Sequence, residues 1–397
     1  MYVTQRFGMM GGAERHLQTL LNTFVEERPV DLVSVIGGVS TQQCPSVDQR
    51  IHWVRLNVRW GWLQKIIWTM RLLVQLPALM RQRAVAIVHT HSAYANVVGG
   101  LAAWIAGVRV RVASIHGQHA VVHAARSFNQ PGSQLYALFF RWIDWLTGKI
   151  AHRIIVPSEA TKRYLVDEVG VRPERVTVIY YGIRAPERVL TSSNARRLRR
   201  RDLGLDGSHT VVGMVAHLFP IKGHRYFIEA AQHLALHQPQ VHYWIVGGVG
   251  NFPSDVLYAL GASLVERGTL HFLGDRHDAR DLLELMDVVV VPSLSEGFPY
   301  VVLEALGRAR PVVASAVGGI PEIIQHGQTG LLVPPADSLA LAGAIEELLL
   351  DPEKAEQLGR EGRQVVLERF TEDRMMVLLR QLYEQLSQWQ AHRVSGQ

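Results

Sequence analysis

The sequence predicts an α/β protein built from two doubly wound parallel-sheet domains, and three observations support this. Short apolar runs, such as the one between Asp287 and Pro292, are typical of fully buried parallel strands. These runs alternate with segments of helical periodicity in both halves of the chain. At 397 residues the chain is also too long for one ordinary core. We therefore expect two such domains facing each other across a cleft.

Composition excludes several classes of protein. Hydrophobic residues make up 48% of the chain and charged residues 19%, which is typical of a soluble globular protein. The longest uncharged apolar run, 97–108, is too short to cross a bilayer. Cys44 is the only cysteine, which excludes an intrachain disulfide and a cysteine-based metal site. No charged and apolar leader opens the chain, so we expect a cytoplasmic protein.

Positive charge is concentrated in the first half of the chain. Residues 1–185 contain 21 lysines and arginines against 10 aspartates and glutamates, a net charge of +11, whereas residues 186–397 contain 20 against 25, a net charge of −5. A basic surface can bind nucleic acid, but the sequence has no aromatic-interleaved recognition motif. An anionic membrane surface or an anionic acceptor is therefore the expected partner, and nucleic acid is not.

A basic segment separates the two halves. Five arginines lie between positions 196 and 201, directly after the polar residues 191–194. Polar stretches of like charge are typical of linkers. The predicted organisation is a first domain over 1–190, a linker over 191–207 and a second domain over 208–371.

The first domain begins with a strand over 1–7, a glycine pair and a helix over 13–24. Gly11 and Gly12 allow close approach of the backbone, so this turn is either a phosphate loop or a tight packing turn. His116 follows a later strand, at the edge where open α/β sheets bind ligands. The spacing of the neighbouring histidines matches no common zinc pattern, so we expect no metal site. The further strands are expected over 30–36, 51–56, 85–89, 109–115, 151–157 and 176–179.

Two aromatic and basic segments of the first domain have two open interpretations. Residues 59–83 carry three tryptophans among lysine and arginine, and residues 135–153 carry two more. A basic helix that bears tryptophan can lie in a membrane interface. It can equally be a crossover helix that packs on the sheet and keeps its charges in water.

The second domain repeats the alternation, with strands over 210–216, 241–246 and 270–273. Lys222 and Gly223 lie in the loop after the first of these strands, just ahead of a helix. An ammonium group in that position suits a diphosphate whose charge grows as it leaves. A solvated surface lysine is the alternative interpretation.

The most informative segment of the second domain is 287–335. A buried strand is followed by a polar turn, by Pro299 at the first position of a helix and by a strand that begins at Pro311. Glu296 lies in the turn and Glu304 in the helix, so carboxylates flank a helix N-terminus, which attracts phosphate. Carboxylates accept hydrogen bonds from hydroxyl groups. The segment therefore predicts a site for a sugar attached to a phosphate.

A series of motifs runs along nearly the whole chain. They are, in order, GGAERHL, THSAYAN, SIHGQH, VPSEATKRYL, PIKGH, FLGDRHD, PSLSEGFPYVVLEALG, VGGIPEII and GQTGLLVPP. In these motifs the chain resembles the retaining nucleotide-sugar glycosyltransferases of family four, whose GT-B fold has two Rossmann-like domains. The resemblance implies a metal-independent hexosyltransferase of polysaccharide biosynthesis that uses no cofactor and moves a sugar from a nucleotide-diphosphate sugar to a glycan or lipid-linked acceptor. A peripheral position on the inner face of the membrane fits such an acceptor.

The resemblance also implies roles for individual residues. Glu296 would face the transferred sugar, and Glu304 would bind the ribose hydroxyls. Lys222 would neutralise the leaving diphosphate in place of a metal, and His116 would lie near the transferred sugar. The final helix, about 372–397, would return to the first domain. The donor site would be completed by Gly11, Gly12, His217, Arg276, Gly297, Phe298 and Pro299.

Two substitutions depart from the family pattern. His217 occupies a position where the family usually has arginine, so either the phosphates protonate its imidazole or another residue supplies the charge. Ala309 occupies a position where glycine is usual, and this change is tolerable if its φ is negative.

Two alternatives to a transferase stay open. A nucleotide-sugar epimerase on the same fold needs no acceptor. A nucleotide-sugar-binding protein with impaired catalysis is suggested by His217. The sequence contains no readable motif for the base, the donor sugar or the acceptor.

Overall fold

The computed structural model describes residues 1–4, 12–24, 31–34, 52–55, 62–117, 133–190, 196, 200–201, 209–248 and 255–395. The chain forms two compact units. The first comprises Met1–Tyr180 together with Met375–Gln397, and the second comprises Tyr181–Arg374.

The first unit is built on a parallel sheet of seven strands within the described residues. The strands are β1 (Tyr2–Thr4), β2 (Asp31–Ser34), β3 (His52–Arg55), β4 (Ile87–His91), β5 (Val110–Ser114), β6 (Arg153–Val156) and β7 (Val176–Val178). Their spatial order is β3-β2-β1-β4-β5-β6-β7, and all pairs are parallel. The order reverses between β1 and β4, which makes their carboxyl ends the expected ligand-binding edge of this sheet.

Helices cover this sheet with their apolar faces. They are α1 (Gly12–Phe24), α2 (Trp62–Gln82), α3 (Ala93–Ile105), α4 (Ser133–Ile150) and the short α5 (Glu159–Arg163). In α1 the buried positions Leu17, Leu20, Leu21 and Phe24 form a stripe of i, i+3, i+4 and i+7. The amphipathic pattern therefore decides which side of each helix faces the sheet.

The second unit contains a parallel sheet of six strands in the part of the chain that the structure describes. The strands are β8 (Thr210–Val215), β9 (Val241–Val246), β10 (Leu270–Gly274), β11 (Val288–Val291), β12 (Val312–Ser315) and β13 (Leu331–Val333), in the order β10-β9-β8-β11-β12-β13. All four valines of β11 are buried, as expected of a strand covered on both faces. The order reverses between β8 and β11.

The helices of the second unit alternate with its strands. They are α6 (His224–Leu234), α7 (Asp255–Glu266), α8 (Ala279–Leu285), α9 (Tyr300–Gly307), α10 (Ile320–Ile323), α11 (Ser338–Leu350) and α12 (Pro352–Arg369). The last helix, α13 (Glu372–Ser395), joins the first unit from Met375 onward. Its Tyr383 hydroxyl lies 3.3 Å from the Tyr2 hydroxyl and 2.6 Å from Nδ1 of His89. These hydrogen bonds attach the helix to β1 and β4.

The leading segment of the first unit ends at Tyr180, ten residues before the predicted end of the first domain. Tyr181 already belongs to the second unit. The amide of Ile183 donates to the carbonyl of Phe370 at 2.9 Å, and the amide of Glu372 donates to the carbonyl of Ile183 at 3.2 Å. This bridge ties the segment after Tyr180 to the end of α12, a long-range pairing that local composition does not reveal.

The basic segment is not simply the solvated linker that its composition predicted. Arg200 is 1% exposed, and it donates to the carbonyls of Leu285 and His209 and, at 2.7 Å, to Oδ2 of Asp287. Arg196 is also buried and reaches Oδ1 of the same carboxylate at 3.2 Å. Arg196 and Arg200 are anchored because Asp287 precedes the buried strand β11 and supplies a counter-charge there.

The condition under which Ala309 was judged a tolerable replacement for glycine, a negative φ, is not met. Ala309 has φ of 54° and is buried where the chain turns from α9 into β12. Its amide donates to the carbonyl of Leu306 at 2.8 Å, so the turn closes the helix. A left-handed conformation costs a non-glycine residue about 1 to 2 kcal/mol. The surrounding fold therefore holds this alanine in a conformation that glycine adopts more easily.

The two aromatic helices pack on one side only. In α2, Leu72, Leu76 and Met80 are buried in a core cluster with Val3 and Val88, as the crossover interpretation requires. Along α4, an apolar surface is exposed to solvent, and we call these residues the α4 aromatic face: Leu135, Tyr136, Leu138, Phe139, Trp142 and Trp145. Among the described residues, none of the helices is long and apolar enough to span a bilayer.

Candidate functional site

Several predicted donor-site residues come together at the carboxyl ends of β8 and β11 in the second unit. The loop after β8 carries His217 and Lys222, and the loop after β11 carries Glu296. These strands are neighbours in the sheet, and the strand order reverses between them. Loops at such a position lie side by side above the sheet, which is where open α/β folds bind ligands.

Lys222 and Glu296 form an ion pair across these two loops. Nζ of Lys222 lies 2.7 Å from Oε1 of Glu296, and the Ser293 hydroxyl donates to the same oxygen at 2.7 Å. The Glu296 side chain is only 9% exposed and that of Lys222 is 30% exposed. Charge-assisted hydrogen bonds of this kind are short and strongly oriented. The pair therefore holds a cation and a carboxylate in fixed positions at the edge of the sheet.

Two glycines hold the loop that carries Glu296. Gly223 has φ of 73°, and a Cβ there would overlap the carbonyl of Pro292. Gly318 has φ of 54°, and a Cβ there would overlap the carbonyl of Glu296 itself. The loop backbone is therefore packed between two turns that only glycine fits. The sequence interpretation named Gly223 and missed Gly318, although the VGGIPEII motif contains it.

Helix α9 begins one residue later than predicted. Pro299 has φ of −76° and ψ of 120°, so it precedes the helix, and Tyr300 is the first helical residue. Phe298 is 3% exposed, and its ring packs edge-on against Tyr181 at 6.1 Å and against Phe370 at 5.4 Å. The side chain of Phe298 is therefore an anchor in the core. The carbonyl of its neighbour Gly297 accepts from the amide of Gly319 at 3.1 Å.

Glu304 has a cationic partner that the sequence interpretation missed. Its side chain is 9% exposed, and Oε1 lies 3.0 Å from Nε of Arg280 on α8. Burial lowers the pKa of the Arg280 guanidinium below its usual value, and neighbouring Arg308 lowers it further. Each of the two glutamates that flank the start of α9 is thus paired with a basic residue from another element. No motif or spacing in the sequence marked Arg280.

Arg276 and His217 do not belong to the two ion pairs described above, Lys222–Glu296 and Arg280–Glu304. Arg276 makes two 2.7 Å hydrogen bonds, from Nε and Nη2, to the carboxylate of Asp278. The hydrogen bond from Arg276 lowers the pKa of Asp278. The ring of His217 lies 6.2 Å from the ring of Phe219 and is partly exposed. Their predicted roles in donor binding stay predictions.

The first unit contains a cluster of imidazoles at the ligand-binding edge of its own sheet. Nδ1 of His91 lies 3.2 Å from Nε2 of His116, and the His16 ring lies 5.7 Å from the His116 ring. Burial lowers the pKa of His116 to about 4 and lowers the pKa values of His16 and His91 well below 6.5, so these rings are neutral at pH 7.

Of the two glycines predicted to approach the donor, Gly12 starts α1, whereas Gly11 lies outside the described residues.

In the part of the chain that the structure describes, no group of three or more histidine, cysteine, aspartate or glutamate side chains is arranged to hold a metal ion. Metal independence stays a prediction.

Models of known protein families match both halves of the chain. A family model described as Glycosyltransferase Family 4 matches residues 10–185, and one described as Glycosyl transferases group 1 matches residues 209–351. The UDP-Gal:alpha-D-GlcNAc-diphosphoundecaprenol alpha-1,3-galactosyltransferase of Escherichia coli is 30% identical over 270 residues, which are 68% of this chain and 67% of that protein. The D-inositol 3-phosphate glycosyltransferase of Mycobacterium sp. (strain KMS) is 33% identical over 66% of this chain, and the match spans 58% of that relative's length.

Solved structures show the same fold over the full length. Anabaena Alr3699/HepE in complex with UDP superposes with a TM-score of 0.77 at 24% identity, covering 98% of this chain and 99% of that one. The sucrose-phosphate synthase of Thermosynechococcus elongatus has a TM-score of 0.77 at 22% identity, covering 97% and 98%. The fold class predicted from the sequence is confirmed. The chain belongs to the glycosyltransferase family that the group 1 and family 4 models describe, and it has the GT-B fold.

Proposed function

We propose that the protein transfers a sugar from a nucleotide-diphosphate sugar to a glycan or lipid-linked acceptor, with retention of configuration and without a metal ion. The observation that carries the proposal is the 2.7 Å pair of Lys222 and Glu296 next to the N-terminus of α9. Membership of a glycosyltransferase family supports the class of reaction. The E. coli relative is named for transfer from UDP-galactose to a lipid diphosphate, and Alr3699/HepE was solved with UDP-glucose, which favours a donor of this chemistry.

The proposed mechanism uses electrostatic stabilisation of the leaving diphosphate. As the bond to the anomeric carbon breaks, charge grows on the diphosphate and an oxocarbenium-like sugar forms. The Lys222 ammonium and the amides at the start of α9 stabilise that growing charge. The acceptor hydroxyl attacks the face that the diphosphate leaves and passes its proton to the departing diphosphate oxygen, so configuration is retained and no covalent enzyme intermediate forms. Glu296, fixed by Ser293 and Lys222, accepts hydrogen bonds from the sugar hydroxyls and orients the sugar.

The test is the replacement of Lys222 by alanine. A thermal-shift screen of nucleotide sugars first identifies the donor, since a ligand at about 100 times its Kd stabilises by about 2.7 kcal/mol. With that donor, K222A is expected to lower kcat about 100- to 1,000-fold. Lys354→Ala is the matched control because Lys354 forms a 2.6 Å pair with Glu347 on the exposed surface of the same unit. A loss below about tenfold for K222A would remove Lys222 from the mechanism.

Further measurements test retention, metal independence and transfer. The anomeric coupling constant of the product, compared with that of the donor, reports retention or inversion. Turnover that persists in excess EDTA supports the metal-independent mechanism, and abolition by EDTA with rescue by Mg²⁺ or Mn²⁺ contradicts it. Donor binding without transfer across a panel of acceptors would instead indicate a nucleotide-sugar-binding protein with impaired catalysis.

We further propose a peripheral position on an anionic membrane, through the α4 aromatic face. Trp142 and Trp145 on this face are 54% and 40% exposed, and Nζ of Lys149 lies 5.2 Å from the Trp145 ring centroid. Amphipathic surfaces that combine exposed tryptophan with basic residues bind lipid interfaces. The net charge of +11 over residues 1–185 favours anionic lipid.

Co-sedimentation with vesicles tests this position. Wild-type protein is expected to pellet with vesicles of anionic lipid and much less with vesicles of neutral lipid. The double variant Phe139→Ser/Trp142→Ser should lose most of this binding. Leu339→Ser is the control, since Leu339 is 65% exposed on the second unit. Equal binding of the double variant and the control variant would contradict the proposal.

A further inference from the structure

The carboxylate of Glu304 is held by an arginine to which the family resemblance assigns no role. Arg280 reaches it from α8 with Nε 3.0 Å from Oε1. The glutamate side chain is 9% exposed, whereas the arginine side chain is 50% exposed. A carboxylate this deeply covered is costly to keep charged unless a cation accompanies it. Arg280 supplies such a cation next to one oxygen of the Glu304 side chain.

Among the described neighbours, Arg308 does not duplicate this contact. Arg308 is also basic and follows directly after the last residue of α9, but its Nη1 donates at 3.2 Å to the backbone carbonyl of Glu304. The carboxylate contact and the carbonyl contact are thus divided between two arginines. Removal of Arg280 leaves Arg308 with its own acceptor, so we expect no simple substitution of one arginine for the other.

We propose that Arg280 is a positioning residue for recognition of the donor ribose and acts through Glu304. The inference rests on the proposed function, in which Glu304 accepts hydrogen bonds from the ribose hydroxyls. A carboxylate has two oxygens and about four acceptor sites, so a contact to Oε1 leaves capacity for hydroxyl donors. An arginine that holds the carboxylate before the nucleotide arrives lowers the cost of ordering it on binding.

An alternative role for Arg280 is direct contact with the diphosphate, and this role makes a different prediction. A phosphate contact would contribute equally to nucleotides with and without ribose hydroxyls. A positioning role through Glu304 contributes only when the hydroxyls are present. The ratio of two dissociation constants therefore separates the roles.

The experiment compares UDP, GDP and ADP with their 2′,3′-dideoxy analogues by calorimetry. For the base that binds wild-type protein, the dideoxy form is expected to bind at least about tenfold more weakly because the buried carboxylate then lacks its ligand partner. Arg280→Ala should reduce this ratio to less than about threefold, and Arg280→Lys should restore part of it. Arg360→Ala, which removes an arginine paired with Glu356 on the surface of α12, should leave the ratio unchanged.

A double variant tests whether Arg280 acts through Glu304. Because Arg280 acts through Glu304, the ratio for Glu304→Ala should not fall further when Arg280→Ala is added. If R280A weakens both forms equally and keeps the wild-type ratio, the positioning role is overturned while the proposed function stands. If wild-type protein binds none of the three nucleoside diphosphates, the proposed function is overturned and this inference with it. R280K keeps the cation, so the ratio stays measurable if R280A fails to fold.

Discussion

Replacement of Asp287 by alanine should strongly destabilise the second unit. Its carboxylate accepts from Arg196 at 3.2 Å, from Arg200 at 2.7 Å and from the amide of Val211 at 2.8 Å. Both arginines are buried, at 5% and 1% exposed. The substitution leaves two guanidinium groups without their counter-charge and the first part of β8 without an acceptor.

The expected decrease in the free energy of unfolding for Asp287→Ala is about 3 to 5 kcal/mol, because removal of one partner from a buried ion pair leaves an uncompensated charge. With m of about 2.5 kcal/mol/M, a loss of about 4 kcal/mol lowers the urea midpoint by roughly 1.6 M. Trp244, which is buried in β9, is the only tryptophan between 181 and 374. Its resonance in 5-fluorotryptophan-labelled protein therefore follows the second unit separately from the first.

Two further variants test the reasoning. The triple variant D287A/R196M/R200M should regain part of the lost stability, because methionine removes the uncompensated charges. Glu229→Ala breaks an exposed pair with Arg225 and should cost less than about 1 kcal/mol. A loss below about 1 kcal/mol for D287A would show that the arginines are solvated, as in a flexible linker, and would refute the buried cluster.

Three more predictions concern the imidazole cluster and two backbone positions. The pKa of His116 is about 4 in the folded protein and 6.5 in the unfolded chain, so the unfolded state binds more protons between these values and stability falls as the pH falls from 6.5 towards 4. Over this pH range the titration of His116 should lower the free energy of unfolding by at most about 3 kcal/mol. His116→Asn should flatten the pH dependence of unfolding of the first unit, and an unchanged slope would contradict the assignment. Gly318→Ala should displace the loop of Glu296 and weaken nucleotide binding at least about tenfold, because a Cβ would overlap the Glu296 carbonyl; unchanged affinity by calorimetry would contradict this packing. Ala309→Gly should raise stability by up to about 1 kcal/mol by relieving a positive φ, and a clear destabilisation in urea would show that the turn is not strained.

Local patterns predicted the elements and most of their order along the chain. The apolar stripe of α1 follows from the helical period of 3.6 residues, and the buried valines of β11 follow from a continuous apolar run. Both patterns act over a few neighbours. The loops of Lys222 and Glu296 were expected at one edge because parallel strands carry their carboxyl ends together. The 2.7 Å ion pair between them was not predicted and is seen only in the structure.

Side-chain partners that come from distant elements could not be predicted. Arg280 meets Glu304 because α8 and α9 pack together, and no periodicity links the two positions. The left-handed conformation of Ala309 depends on the turn into β12, so the sequence could state only the condition of a negative φ and not whether it is met.

Sequence alone therefore determined the two α/β sheets, the family and the residue types at the ligand-binding edges, because these depend on short-range patterns and on strand direction. Only the tertiary structure decided that Arg196 and Arg200 are buried against Asp287, that Glu304 is paired with Arg280 and that Tyr181 opens the second unit. Each of these depends on which distant groups share a low-dielectric interior, where an unpaired charge is costly and a partner must be found.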